Sequence, residues 1–362
     1  MHEANVRLTR FAQEAGAGAN AAVRDLALLF EAAHAASSQS WSVPVDLLSG
    51  LSGRDATRWN LNTAQTLVAA QTFFLPMVDD PFDFGRIAST GALSPVFATG
   101  ATPLFALAFM GMPDGVFPEA FIARIVTGQE AGFRVAGAVV TGGSSFPSAV
   151  PVLGFVAIGV ARPDRIRDAG GAQPGDSIVL AKPLGMGIYT AALARQKLDA
   201  AAYRDFVERA VQANAAGTAM AAIRNVHALA EVSETGLAGR LLAMCRAASL
   251  TARIDMHAIP HLPQALALAK SGCIARASAR NWNRDGAAIR LGDALMPEAR
   301  ALLTDPQASG GLLVACKPTS ADRIVKLLHD AGFDQAAEIG RFGEAPPQDA
   351  DRIDVPWLEV AG

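Results

Sequence analysis

The sequence predicts a mixed α/β (α+β) protein built from two domains, and three observations carry that reading. At 362 residues the chain is longer than one hydrophobic core usually serves. Apolar runs of strand length alternate with amphipathic helical stretches in both halves, without a glycine-rich dinucleotide fingerprint after the first strand. A stretch rich in Arg, Asp, Gly and Pro at 162–174 interrupts the pattern. Such stretches mark domain boundaries, so the division is expected near residue 165, giving domains 1–165 and 166–362.

Each element has its own signal. Residues 1–19 are small and polar, and the Ala/Gly run at Ala15–Ala19 is expected to be mobile. Asn20 is a plausible cap for an amphipathic helix to His34, with Val23, Leu26 and Phe30 on one face. A loop-rich segment at 35–64 leads to a buried strand at Thr66–Phe74. The acidic turn Asp79, Asp80, Pro81, Asp83 then opens a small-residue helix across Arg86–Thr99, whose Ala88, Gly91 and Ala92 permit close packing. A second apolar strand follows at 103–112. Pro118 and Glu119 start a helix carrying Phe121, Ile122, Ile125 and Val126. Strands are expected at Val135–Val140 and Val152–Gly159, with Gly142-Gly143-Ser144-Ser145 as the turn between them. The second half opens with a strand at Ser177–Ala181 and the turn Lys182–Gly187. Ala-rich helices at Ala200–Ala230 and Gly236–Ala248, a strand at Thr251–Met256 and a helix after Pro263 complete the pattern.

Composition excludes several function classes. A formal net charge of -3 supplies no general attraction to nucleic acid or an anionic membrane. No apolar run approaches the ~20 residues a membrane helix needs, and positions 1–16 lack a signal-peptide core. The three cysteines, Cys245, Cys273 and Cys316, have neither metal-type nor disulfide-type spacing. A cytoplasmic protein is expected. The first lysine is Lys182, so no lysine in the first half can meet a phosphate.

Candidate residues follow from their chemistry. Backbone N–H groups and hydroxyls of Gly142, Gly143, Ser144 and Ser145 could cradle an anion; a tight strand connection is the competing reading. Arg54, Arg58 and Arg86 could clamp an oxyanion through paired guanidinium donors, or be ordinary surface arginines. Asp79, Asp80 and Asp83 read as helix-capping residues ahead of a metal cluster. His227 and His257 stand apart in sequence from carboxylates and read as structural. Cys245, beside Leu241, Leu242 and Met244, reads as core.

The motifs RLTRFAQEAGAGA at 7–19, FFLPMVDDPFDFGRIASTGALSPVFATGATPLFAL at 73–107, TGG at 141–143, AKPLGMG at 181–187 and DPQASGGLL at 305–313 together resemble the selenophosphate synthetases (selenide, water dikinases). This family lies within the aminoimidazole ribonucleotide synthetase-like superfamily. The resemblance extends over nearly the whole chain. It implies a two-domain fold whose N-terminal sheet pairs with its twin in a dimer barrel, hence a homodimer. It also implies ATP and Mg2+ on the N-terminal domain for phosphoryl transfer to selenide. Carried over by position, Ala17 and Asn20 occupy the places of the family's reactive cysteine or selenocysteine and its lysine. Of the metal-holding carboxylates, Asp55 is kept, Thr72 and Pro95 replace two, and Glu231 stands at a fourth, in the expected turn AEVSETG. The expectation is a homologue that has lost selenide, water dikinase activity, with ATP and Mg2+ carried over only as what the resemblance implies. As a regulatory protein it would act as a homodimer or through a partner protein. A divergent enzyme using another phosphate compound or acceptor remains the alternative.

Overall fold

The computed structural model describes residues 7–10, 56–344 and 356–362. The tract 1–19 beyond residues 7–10, the helix expected at 20–34, and positions Ala17, Asn20, Arg54 and Asp55 lie outside the described residues.

Among the described residues the first half forms a five-stranded sheet from β1 (Thr57–Asn60), β2 (Thr66–Phe74), β3 (Thr102–Met112), β4 (Val139–Pro147) and β5 (Val152–Ala161), in the order β1-β2-β5-β3-β4. Neighbours are antiparallel except β3 and β4, which run parallel. Helices α1 (Pro81–Ala98) and α2 (Glu119–Val135) follow β2 and β3. Asp80 caps α1 by accepting the Asp83 N–H at 3.0 Å, with Pro81 in the first turn where no backbone donor is needed. The two helices can touch backbone to backbone. A Cβ added at Gly85 would lie 2.2 Å from the Ile125 carbonyl, and one at Gly128 would lie 2.1 Å from that of Phe82. Val68, Ala70, Phe84, Ala88, Ala92, Phe133, Phe155 and Ala157 fill the space between sheet and helices.

The second half is a seven-stranded sheet. Its strands are β6 (Ser177–Leu180), β7 (Val226–Glu231), β8 (Ala252–Asp255), β9 (Ile289–Leu291), β10 (Leu312–Cys316), β11 (Ala337–Phe342) and β12 (Leu358–Ala361), in the order β7-β10-β6-β11-β8-β12-β9. Around it lie α3 (Met186–Ala194), α4 (Ala200–Ala210), α5 (Ala216–Ala221), α6 (Gly236–Ala248), α7 (Ala265–Lys270), α8 (Arg276–Asp285), α9 (Pro297–Leu303) and α10 (Ala321–Asp330). One continuous apolar core runs from Val68 into Val360. The end of α1 seats against the second half: Thr218 Oγ1 donates to the Ala101 carbonyl at 2.8 Å. A Cβ added at Gly217 would lie 2.2 Å from the Phe97 carbonyl.

Two sequence expectations need correction. The stretch 135–147 is not strand then turn: α2 continues to Val135 and ends through Gly137 at φ 74°. The strand β4 then runs straight through Gly142–Ser145. Glycine serves that strand by making room, because a Cβ added at Gly143 would sit 2.0 Å from the Ala108 carbonyl of β3. Likewise the helix expected across Ala200–Ala230 is α4, α5 and then β7. Alanine's helix preference of under ~1 kcal/mol per residue yields at Val226–Glu231, where antiparallel pairing with β10, bulged between Ala315 and Cys316, forms in the core. Glu231 therefore ends a buried strand instead of standing in a turn.

Candidate functional site

The segments AKPLGMG and DPQASGG meet in space. Asp305, fully buried, accepts the Gly187 N–H at 2.9 Å at the start of α3 and the Gln307 side-chain amide at 2.9 Å. Gln307 in turn accepts the Met186 N–H at 3.3 Å. A carboxylate at a helix N-terminus satisfies backbone donors that have no partner within the helix. Burial nevertheless pushes the Asp305 carboxyl up to about 8.

Lys182 lies at the centre of this junction with 1% of its surface exposed. Its Nζ donates to the Gln212 carbonyl at 2.6 Å and to the Ser309 carbonyl at 2.7 Å. Burial lowers its pKa to about 7, while the nearby Glu231 carboxylate works the other way. Asn214 adds a second bridge: its amide donates to Ser94 Oγ of α1 and to the Gly310 carbonyl at 2.7 Å. There is no room for a side chain at Gly310, where a Cβ would lie 1.8 Å from the Val232 carbonyl. The signature glycine is thus a packing requirement of this knot. Sequence reasoning quoted both motifs but did not find the roles of Lys182, Asn214 or Asp305; the signal was a lysine and an aspartate set among small apolar residues.

The other candidates fall elsewhere. Gly142, Gly143, Ser144 and Ser145 are exposed along β4 at the sheet edge, so they do not form the anion-cradling turn expected of them. Arg58 pairs with Asp168 at 2.7 Å. Arg86 pairs with Asp83 at 2.6 Å and lies 5.0 Å over the Phe82 ring. Both guanidinium groups have partners within the fold. The acidic block is structural: Asp80 caps α1 and pairs with Arg124 at 2.9 Å, Asp83 also accepts Tyr203 Oη at 2.7 Å, and Asp79 binds residues 7–9. His227 does meet a carboxylate, through Nδ1 at 2.8 Å from buried Asp176. His257 is exposed. Cys245 is core, with its thiol raised to about 12 by burial.

The donor set does not match the magnesium and nucleotide that the resemblance implies. Magnesium needs near-octahedral oxygen ligands, usually with one or two carboxylates per ion. Thr72 offers one neutral hydroxyl, which has no hydrogen-bond partner among the described residues. Pro95, buried inside α1, offers no side-chain donor atom at all. Glu231 is 5% exposed and lies within reach of Lys182's charge. Among the described residues no group of three or more His, Cys, Asp or Glu side chains is placed to hold a metal ion. These residues do not fit a multi-magnesium polyphosphate site.

Comparison with known proteins places this geometry in context. Residues 53–161 match the family described as AIR synthase related protein, N-terminal domain, and residues 173–350 match the corresponding C-terminal domain. Selenide, water dikinase of Burkholderia pseudomallei (strain K96243) is 46% identical over 311 residues, covering 86% of this chain and 87% of that protein. The enzyme of the same name from Dechloromonas aromatica (strain RCB) is 40% identical over 348 residues, covering 96% and 99%. Among solved structures, thiamine monophosphate kinase from Aquifex aeolicus superposes with a TM-score of 0.61 at 15% identity, covering 85% of this chain and 91% of that one. Hydrogenase maturation protein HypE superposes with a TM-score of 0.59 at 19% identity, covering 80% and 84%. At such identities the structural likeness speaks to fold alone, and the fold is the two-domain AIR synthase-like one. Among the described residues no helix is long and apolar enough to cross a membrane.

Proposed function

The chain belongs to the selenide, water dikinase family, and from that premise we propose that it keeps the family scaffold but has lost phosphoryl transfer from ATP to selenide. The observation that carries this reading is the donor set at the family's metal positions, where Thr72 and Pro95 stand in place of carboxylates and Glu231 is buried beside Lys182. Phosphoryl transfer leaves little covalent work to the protein. It requires positioning and neutralisation of the polyphosphate charge, which these side chains do not supply. Ala17 and Asn20 add a methyl group and a neutral amide where the family has a nucleophile and a cation. Neither replaces the lost function, since a methyl cannot attack and an amide carries no charge.

The protein is read as a regulatory homologue acting as a homodimer with a domain boundary near residue 165, in the stretch between β5 and β6. Support for the dimer comes from the face of the first sheet away from α1 and α2. Phe73 and Leu107 there are 37% and 38% exposed, and Trp59, Leu104 and Val139 are also exposed. Several exposed apolar side chains on one sheet face are what an interaction surface would present. The deciding experiment is an assay of selenide-dependent ATP hydrolysis with detection of the phosphorylated selenium product. No turnover above a no-protein control is expected, and product above that control overturns the proposal.

A further inference from the structure

Leu8 is fully buried in the core and Thr9 is 3% exposed, although they precede the first described strand by a long stretch of chain. The reason is Asp79. One of its carboxylate oxygens accepts the Thr9 N–H at 2.9 Å and the Thr9 hydroxyl at 2.7 Å. The other accepts Arg7 Nε at 2.8 Å and lies 2.7 Å from Arg7 Nη2. This is a forked guanidinium–carboxylate contact, the kind of geometry that gives such pairs both strength and direction. The same Nη2 reaches the Leu193 carbonyl of α3 at 3.3 Å. Asp79 follows β2 in the first half, and Leu193 lies in the second, so one guanidinium touches both.

We propose that residues 7–10 act as a clasp between the two halves of the molecule, with Asp79 as its catch. Leu8 forms a turn that leads into helical backbone at Thr9 and Arg10, and among the described residues the segment 7–10 pairs with no strand. Among the described residues it is held by the burial of Leu8, by the bonds to one carboxylate and by the Arg7 contact with the Leu193 carbonyl. The clasp is also separable from the core, because Asp79 and Arg7 remain about a third exposed (30% and 29%) while Leu8 plugs the interior. Released, the segment would uncover Leu8's site and free the Leu193 carbonyl at the end of α3, so the two halves would lose a direct link. A side chain that both anchors the first residues and leaves the strands untouched is a natural release point for movement of one half against the other.

Hydrogen exchange read by mass spectrometry on the full chain tests this. In Asp79→Ala, amides at 7–10 should exchange about tenfold faster or more, and those at the end of α3 should also accelerate. Strands β2 and β5 should exchange as in the wild type. Asp79→Asn, which keeps an acceptor for Thr9 but loses the charge facing Arg7, should fall between. Should Asp79→Ala not fold, the double variant Arg7→Met, Thr9→Val removes the same side-chain contacts from the other side and should give the same local pattern. Unchanged protection at 7–10 in these variants overturns the clasp. Acceleration spread evenly over β2 and β5 also overturns it, because Asp79 would then support the first half as a whole.

Discussion

Replacing Lys182 by methionine isolates a buried cation of the junction that the fold places beside Glu231, and its effect on stability should depend on pH. The ammonium is shifted from an ordinary 10.5 to about 7. That shift of about 3.5 units corresponds to a cost of roughly 5 kcal/mol for keeping the buried group charged. The sign follows from proton binding. Between about pH 7 and 10.5 the unfolded chain holds a proton on Lys182 that the folded chain has released, so wild-type stability rises with pH across that window. Integrated from pH 7 to 9, this group alone adds about 2 kcal/mol. A methionine at this position cannot titrate, so the variant lacks the gain. At pH 7 the substitution should already cost about 3 kcal/mol, because the Gln212 and Ser309 carbonyls lose their donor and Glu231 loses the neighbouring positive charge. Urea denaturation followed by circular dichroism at pH 7 and pH 9 measures both quantities. The deficit of the variant should widen by about 2 kcal/mol at the higher pH. Titrating groups not coupled to Lys182, Asp305 among them, are shared by both proteins and cancel in the difference. A deficit that stays constant between the two pH values refutes the assignment of a buried, proton-releasing Lys182.

Asp305→Asn should flatten the opposite trend. With its carboxyl raised to about 8, Asp305 contributes stability that is lost as pH rises from the ordinary carboxylate range through 8, so the variant's melting temperature should fall less than the wild type's between pH 5 and 8. Sedimentation of Phe73→Asp, Leu107→Asp should show a monomer where the wild type sediments as a dimer, since two charges would be placed on the exposed apolar sheet face; a monomeric wild type removes the dimer. Isothermal calorimetry should find magnesium-ATP binding weaker than ~100 μM, where ΔG is only about -5.5 kcal/mol; tight, magnesium-dependent binding would contradict the loss of the family's polyphosphate site.

How far the fold could be read depended on whether a local pattern had a tertiary competitor. The strand Thr66–Phe74 and the helix Gly236–Ala248 are observed at the expected residues, because an apolar run bounded by turns and an amphipathic period each leave one way to bury the chain. The start of α2 at Pro118-Glu119 and the capping of α1 by Asp80 were equally local and equally legible. Where a preference met a neighbour, the neighbour won: β7 gave up alanine's helical preference for ladder bonds to β10, and β4 took Gly142–Ser145 out of a turn because β3 had space only for glycine beside Ala108.

The sequence alone determined the two-domain α/β class, the family, and the absence of a nucleophile at Ala17 and of carboxylates at Thr72 and Pro95, since these follow from residue identity and order. Only the tertiary structure decided what the remaining polar residues do. Lys182, Glu231, Asn214 and Ser309 lie far apart in the chain, and it is folding that brings them into one buried junction. Arg7 and Asp79, separated by 72 positions, likewise become partners only in the folded chain, where Leu8 is buried. Charges and hydrogen-bond donors act over a few ångströms, and one-dimensional spacing carries no record of which distant residues will come within that range.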